Sequence, residues 1–337
     1  MEAPAFKQEF VQASHYSTTQ ISQWLKYIRL PQSLSQYIQC PTEIPKTAEC
    51  LCILMRCQLT TYPYENLSVH YSSTHLVNIH PDVLYEKMMG PNSGRRGGYC
   101  MELSIFFYHM LRGLGFNVFM TGVRNRSRTG GIPGGQYLGW THIVNIVHLP
   151  SHEKYSLDVA FGGDGPTSPL PLDDECKVVQ NLGPQQVCLV HENIPMQQPN
   201  SPKFWIYQYR NGADREWNSF YSFTEIEFFQ EDFEVMNWFA SSKTIHRWMV
   251  MVVRFLREGE SLLFEDKTPK SSTEVKIIGK VILVNNVVKA NMGGKSQTIC
   301  VLGSEAARLQ ALRDYFGIDL TSEQRESIHG WDMALEQ

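Results

Sequence analysis

The hydrophobic period of the chain changes at about Phe116, and this change limits the fold more than any other feature of the sequence. Before that point, apolar residues recur at three- and four-residue spacing, which is typical of helices that bury one face. After it they alternate along short runs bounded by Gly, Pro, Asn and Ser, which indicates strands. The last third mixes both periods. The pattern therefore predicts a helical part, then a β part, then an α/β part.

Several predicted helices have recognisable ends. Ser17, Thr18 and Thr19 are capping candidates for the first of them, and Gly113 and Gly115 supply stop signals for the third. The helix that opens at Thr321 has Gln324 placed for a capping box. The predicted helices cover about 21–28, 47–59, 100–114, 231–241 and 304–316, followed by the one that opens at 321.

The predicted strands lie in the central and last thirds. They cover 117–121, 142–149 and 155–161, and then 246–255, 261–264, 275–284 and 298–302. A glycine-rich loop is expected over 128–139, and polar, proline-containing connectors over 162–174 and 197–203. Such connectors are commonly surface loops.

Charge and cysteine content exclude several classes of protein. A net charge of −4 gives no basic footprint for nucleic acid. The first four residues lack the features of a secretory signal, and the apolar run 248–253 is too short to cross a bilayer. We therefore expect a soluble, cytoplasmic protein whose eight cysteines are free thiols. Cys50, Cys52 and Cys57 lack zinc spacing and a fourth ligand, so we expect buried helical thiols and no metal.

Cys100 opens a predicted helix directly after Gly97, Gly98 and Tyr99. The N–H groups at a helix N-terminus favour a negative charge, and the thiolate is the reactive form of cysteine. The glycines are expected to clear the approach, so that a substrate reaches the sulfur and backbone donors for an oxyanion. The alternative is a small apolar residue that happens to begin a helix.

His142 and Asp158 supply the other groups of a nucleophilic site. A lone histidine in an apolar strand is more often a packing residue than a base. Asp158 lies in the next predicted strand, where a buried carboxylate needs a partner. A histidine N–H is a fitting partner and leaves the other ring nitrogen for the thiol. The sequence therefore predicts that Cys100, His142 and Asp158 meet in one cleft of a cysteine-based acyl transferase.

An ordered set of motifs resembles those of the arylamine N-acetyltransferases. The set comprises Pro63-Tyr64-Glu65-Asn66-Leu67, Arg96-Gly97-Gly98-Tyr99-Cys100, the strand with His142, Leu157-Asp158-Val159-Ala160-Phe161-Gly162 and Glu231-Asp232-Phe233-Glu234-Val235-Met236-Asn237. The resemblance covers nearly the whole chain and looks most like the eukaryotic, fungal-type members. It implies an α+β fold with a helical bundle over 1–115, a β-barrel over 116–227 and an α/β lid over 228–337. It also implies a Cys100–His142–Asp158 triad.

The same resemblance implies substrates and further site residues. Acetyl-coenzyme A would be the co-substrate and an arylamine or arylhydrazine the acceptor, in a ping-pong reaction of xenobiotic detoxification without metal, nucleic acid or membrane. Glu65 and Arg96 would form an ion pair beside the triad, and Phe161 would line the acceptor pocket. The expected coenzyme A contacts are Gly139, Thr141, Ser241 and Ser242, with the two serines following the predicted 231–240 helix.

Two departures from the family pattern leave alternatives open. Many members carry asparagine where this chain has Ser104, and the 128–139 segment is long. These departures leave open the range of acceptors and the fit of the cofactor, but not the triad. The sequence also does not decide the acyl group (acetyl, propionyl or malonyl), the natural amine or the oligomeric state. A papain- or transglutaminase-like enzyme uses a similar triad, and a non-catalytic binding protein of the same fold is a further alternative.

Overall fold

The computed structural model describes residues 13–129, 131–266 and 274–335, and the first third of this part is helical. Its elements are α1 (Thr18–Tyr27), α2 (Ala48–Thr61), β1 (Tyr64–Glu65), α3 (Leu67–His70), α4 (Pro81–Met89) and α5 (Cys100–Gly113). Of the three capping candidates before α1, Ser17 is the cap, because its side chain accepts the N–H of Gln20. Thr47, predicted as the first residue of its helix, caps α2 by accepting the N–H of Cys50. The sequence analysis did not predict α3 or α4.

Helix α5 is the centre of the first hydrophobic core. Eleven of its fourteen residues are buried, and the remaining helices and the following hairpin pack around it. Trp24 of α1 contacts the ring of Phe107 at 6.2 Å between centroids, and Tyr62 contacts Phe106 at 5.4 Å. A helix buried on nearly every side is held rigidly, so its first residue, Cys100, has a fixed position.

The central third forms a barrel that is nearly closed. Its strands are β2 (Asn117–Thr129), β3 (Ile132–His148), β4 (Lys154–Leu157), β5 (Leu170–Pro171), β6 (Val179–Gln180), β7 (Gln186–Glu192), β8 (Phe204–Arg210) and β9 (Asn218–Phe223). Among the described residues they form one antiparallel sheet in the order β5-β4-β3-β2-β9-β8-β7-β6. Residues of β5 come within 8 Å of β7, which brings the two ends of the sheet together.

The glycine-rich loop expected over 128–139 is wrong, because this segment is part of a long hairpin. Strands β2 and β3 stay paired as far as Thr129 and Ile132, with register shifts that absorb extra residues. Cross-strand cation–π contacts stabilise the pairing: Arg124 lies 4.1 Å from the Trp140 ring centroid, and Arg126 lies 5.6 Å from that of Tyr137. Gly130, part of the same prediction, lies outside the described residues.

The last third contains α6 (Gln230–Lys243), α7 (Ile245–Trp248), β10 (Met251–Arg257), β11 (Ile277–Val284), β12 (Val287–Asn291), β13 (Gln297–Val301), α8 (Glu305–Phe316) and α9 (Ser322–Glu326). In the described part of the chain the second sheet has the order β1-β10-β11-β12-β13, so a strand from the helical third joins it. The capping box of Thr321 and Gln324 is confirmed. The strand predicted over 246–255 is wrong in its first half, where α7 lies instead.

Residues 261–264 do not form the predicted strand. Two carbonyl oxygens that a strand would use accept hydrogen bonds from the Arg254 guanidinium, at 2.9 Å for Ser261 and 2.7 Å for Leu262. The N–H of Phe264 donates to the carbonyl of Asp314 on α8. Because these backbone groups are already bonded elsewhere, the segment cannot join a sheet.

These parts together confirm the expected α+β class, with a helical first third, a central barrel and a C-terminal sheet flanked by helices. The domain boundaries at 115 and 227 stay predictions.

Candidate active site

Cys100 is buried at the N-terminus of α5, as the sequence predicts. Tyr99 before it is extended, and the Cys100 Sγ lies 3.9 Å from the carbonyl oxygen of Thr141, to which the thiol donates. Burial raises the pKa of this thiol, while the backbone N–H groups of Met101 and Cys100 lower it. Burial is the larger effect, so the resting thiol is protonated and needs a base before it can react.

Gly97 and Gly98 have a different role from the expected one. A Cβ on Gly97 would lie 1.8 Å from the carbonyl oxygen of Pro63, and one on Gly98 would lie 2.5 Å from the Glu102 Cβ. The N–H of Glu65 also donates to the Gly98 carbonyl at 2.9 Å. The glycines therefore let the chain's own 63–65 segment pack against the start of α5, rather than clearing a path for substrate.

His142 and Asp158 meet in a buried hydrogen bond. His142 lies on β3 and its Nε2 is 2.8 Å from the Asp158 Oδ2, with both side chains at most 2% exposed. The predicted strand over 155–161 ends at Leu157, so Asp158 follows the strand instead of lying in it. Its Oδ1 accepts the N–H of Ala160 at 2.9 Å, which turns the chain away from the sheet. The other ring nitrogen of His142, Nδ1, is left for a different partner.

The thiol and the imidazole come together through neighbouring residues. The carbonyl that accepts the Cys100 thiol belongs to Thr141, the residue directly before His142. Across the described residues, no hydrogen bond joins this thiol to the imidazole itself. The sulfur must therefore turn away from the Thr141 carbonyl before it can pass a proton to the ring.

An aromatic wall surrounds the imidazole. The Phe161 ring lies 5.1 Å from that of His142, and the Tyr221 ring lies 5.7 Å from it. Phe161 and Tyr221 also contact each other edge-on at 4.9 Å. Burial and the charge of Asp158 raise the pKa of Tyr221 well above its usual range, so this hydroxyl stays neutral. The sequence indicated Phe161 only through the resemblance, and it gave no signal for Tyr221 on β9.

The expected ion pair between Glu65 and Arg96 is buried and bidentate. The Arg96 Nε and Nη2 atoms donate to the two Glu65 oxygens at 2.8 and 3.1 Å. Glu65 Oε2 also accepts the N–H of Leu67 at 2.7 Å. Burial opposes ionisation, but the cations of Arg96 and Lys87 outweigh it and lower the pKa of the Glu65 carboxyl to about 2.

Two further residues, which the sequence analysis missed, extend this ion pair. Lys87 of α4 lies 3.2 Å from Glu65 and 2.6 Å from Glu102. Glu102, the third residue of α5, accepts the N–H of Tyr99 and so caps the helix that starts with Cys100. Burial and the charge of Glu65 raise the pKa of the Glu102 carboxyl. The spacing of Tyr99 and Glu102 is a signal from which this cap was predictable.

The residues expected to contact coenzyme A lie in two places. Gly139 is exposed on β3, with open space where a Cβ would stand, and the Thr141 hydroxyl accepts from the Asn125 amide at 3.3 Å. Ser241 and Ser242 were expected to follow the helix, but they lie within α6. Their hydroxyls donate to the carbonyls of Asn237 and Trp238, the residues four positions earlier.

Ser104, where the chain departs from the family pattern, is fully buried on α5. Its carbonyl accepts the Asn145 amide of β3 at 3.1 Å, which joins α5 to the strand that carries His142.

Residues 13–129, 131–266 and 274–335 hold no group of three His, Cys, Asp or Glu side chains arranged to bind a metal ion. No helix within these ranges has the length and apolarity that a membrane crossing needs.

Comparison with known proteins adds independent observations. A family model described as N-acetyltransferase matches residues 47–325. The chain is 28% identical over 333 residues to the N-malonyltransferase FDB2 of Fusarium pseudograminearum. This alignment covers 93% of this chain and 92% of that protein. It is also 31% identical over 226 residues to an arylamine N-acetyltransferase / N-hydroxyarylamine O-acetyltransferase of Salmonella typhimurium, with 66% of this chain and 71% of that protein covered.

The fold is similar to that of a solved structure with a ligand. The arylamine N-acetyltransferase of Mycobacterium marinum in complex with CoA superposes with a TM-score of 0.68 at 21% identity. The match covers 92% of this chain and 99% of that one.

Proposed function

The chain belongs to the arylamine N-acetyltransferase family of acyltransferases, and on that premise we propose that it transfers an acyl group from acyl-coenzyme A to an arylamine or arylhydrazine through a thioester on Cys100. One observation carries the proposal. It is the buried hydrogen bond from His142 to Asp158. Thr141, the residue directly before His142, accepts the Cys100 thiol with its carbonyl. This arrangement supports a base whose free nitrogen is available to the sulfur.

In the first half-reaction, His142 Nδ1 takes the proton from the Cys100 thiol. The thiolate attacks the thioester carbonyl of acyl-coenzyme A, and the N–H groups at the start of α5 stabilise the oxyanion. His142 returns its proton to the departing coenzyme A thiolate, which leaves an acyl thioester on Cys100. Asp158 keeps the imidazole in the required tautomer and stabilises its protonated form.

In the second half-reaction, the amine nitrogen attacks the Cys100 thioester. His142 accepts the proton that the nitrogen loses, and the sulfur leaves as a thiolate to which that proton returns. Aromatic amines suit this step because they stay unprotonated at neutral pH. Phe161, beside the imidazole, is proposed to line the acceptor pocket. Coenzyme A leaves before the amine reacts, and the acyl-enzyme links the two half-reactions, so the kinetics should be ping-pong.

The proposed coenzyme A contacts are Gly139, Thr141, Ser241 and Ser242. Support for the co-substrate comes from the fold shared with a solved relative described in complex with CoA. The two serine hydroxyls are bonded within α6, so each would have to rotate to reach the ligand. We place the reaction in the cytoplasm, as a detoxification of amines, where free cysteines stay reduced.

Acetyl is one candidate for the acyl group, because the Salmonella relative is named an acetyltransferase. Malonyl is a second candidate, because the fungal relative is named an N-malonyltransferase and matches 93% of this chain.

Steady-state kinetics test the proposed function. Purified protein is assayed for free coenzyme A with acetyl- or malonyl-coenzyme A, with and without an aniline. Amine-dependent release that gives parallel double-reciprocal lines is expected, with none from Cys100→Ala and normal release from the control Cys57→Ala, whose thiol is buried on α2. Release of coenzyme A without amine would favour a hydrolase, and crosslinking of peptides would favour a transglutaminase-like enzyme. No turnover with either donor would favour a binding protein.

A further inference from the structure

His246 is a buried histidine that the proposed mechanism does not use. It lies on α7 and is 8% exposed. Its backbone is satisfied, because the N–H donates to Thr244 and the carbonyl accepts from the Asn66 amide at 3.0 Å. Within the described ranges, its Nδ1 is a buried atom without a hydrogen-bond partner. A buried ring nitrogen without a partner is costly, which indicates that a ligand group completes the site.

The ring of His246 lies at the start of the helix that carries Cys100. It meets the Tyr99 ring edge-on at 5.0 Å and the Tyr64 ring at 6.4 Å. Burial, together with the neighbouring charges of His142 and His70, lowers the pKa of His246 to about 3. The imidazole is therefore neutral, close to the proposed base, and able to donate one N–H.

Tyr64 brings a second donor to the same place. Its hydroxyl has no hydrogen-bond partner among the residues that the structure describes. The Tyr64 backbone bridges to Gly98, two residues before Cys100, which places this residue beside the triad. Burial raises the pKa of the hydroxyl well above its usual range, so it stays protonated and can donate. The neighbouring Tyr99 differs, because its hydroxyl already donates to Asn237.

We propose that the His246 imidazole and the Tyr64 hydroxyl bind the distal carboxylate of a malonyl group carried on Cys100. This inference rests on the proposed function, whose donor it narrows. An acetyl methyl group accepts no hydrogen bond, so it would leave the buried His246 nitrogen and the half-buried Tyr64 hydroxyl unpaired. The malonyl carboxylate lies two carbon–carbon bonds beyond the thioester carbonyl and offers acceptors to both. Its charge also favours proton uptake by the imidazole, which offsets the cost of burying the carboxylate.

The expected effect is a change in donor preference. Sites that hydrogen-bond a polar group discriminate strongly against analogues that lack it. We expect wild-type protein to have a higher kcat/KM for malonyl- than for acetyl-coenzyme A. His246→Phe should lower that ratio by about 10- to 100-fold, as expected for hydrogen bonds to a charged group. Tyr64→Phe, which removes one oxygen atom, should lower it about 10-fold.

The experiment compares kcat/KM for the two donors with one aniline. His246→Gln keeps an N–H donor and should retain more of the ratio than His246→Phe. His148→Phe is the matched control, because the His148 Nε2 is likewise buried without a partner among the described residues. It lies at the far end of β3, about 20 Å along the strand from His142, and its ratio should match wild type.

The outcomes separate this inference from the proposed function. No thioester on Cys100 from either donor would refute the proposed function itself. Thioester formation with a wild-type ratio of one or less would overturn the inference alone, as would an unchanged ratio in Tyr64→Phe and His246→Phe. Should His246→Phe fail to fold, the ratio in Tyr64→Phe decides.

Discussion

Replacing Arg96 by Met should destabilise the protein because it breaks a buried ion pair. The guanidinium is 4% exposed and donates twice to Glu65, whose side chain is fully buried. Removing one partner of such a pair typically costs about 3–5 kcal/mol, since the other charge stays buried. Lys87 remains 3.2 Å from Glu65, so we expect the lower end, about 3 kcal/mol. Urea unfolding followed by tryptophan fluorescence measures the loss as a lower midpoint at unchanged slope.

Arg95→Met is the control for this change. The adjacent Arg95 pairs with Asp266, but the two side chains are 43% and 77% exposed, so the substitution should cost at most about 1 kcal/mol. The pair of Glu65 and Arg96 also holds β1 against Gly98 before Cys100, so Arg96→Met should lose activity as well as stability. Equal unfolding midpoints in Arg96→Met and Arg95→Met would refute this reasoning.

Three further outcomes follow from the same contacts. Because the pKa of Glu65 is lowered to about 2, about 3 kcal/mol of folding stability should be lost as the pH falls from 4.5 towards 2. Glu102, whose pKa is raised, offsets part of this loss. A free energy of unfolding that stays constant across this pH window would contradict the prediction. Asp158→Asn should lower kcat/KM by about 10⁴ with the fold intact, and near-normal turnover would exclude its orienting role. Gly97→Ala should unfold at a lower temperature than Gly294→Ala, because a Cβ at 97 meets the Pro63 carbonyl whereas one at 294 meets open space. Equal melting temperatures would count against the close packing of Gly97 on Pro63.

The helices were predictable where capping side chains and a regular apolar stripe coincide. Ser17, Thr47 and Thr321 each cap a helix that the sequence predicts. Helices α3 and α4 were missed because they are short, and packing against other elements supplies much of their stability. Strands β5 to β9 were missed because several are short and their burial depends on the closure of the barrel.

The long hairpin was not predictable from local preference. Glycine and proline over 128–139 indicate a loop, and only the rings of Trp140 and Tyr137 beneath the arginines of β2 favour continued pairing. Such cross-strand contacts depend on register, which the sequence alone does not specify.

The residues of the candidate site were largely predictable, but their contacts were not. The partnership of His142 and Asp158 followed from the need of a buried carboxylate for a donor. Lys87 lies beside Glu65 because α4 packs there, and the sequence did not predict this packing. His246 lay in a predicted strand, so its approach to Tyr64 and Tyr99 came from tertiary structure.

Mass spectrometry of the acyl-enzyme tests the central claim most directly. Protein is incubated with acetyl- or malonyl-coenzyme A, freed of donor, digested and mapped, and an aniline is then added to a second portion. The account predicts one acyl group, on Cys100 alone among the eight cysteines, which the amine removes as the N-acyl product. An acyl group on another residue, or a Cys100 adduct that the amine does not discharge, would contradict it.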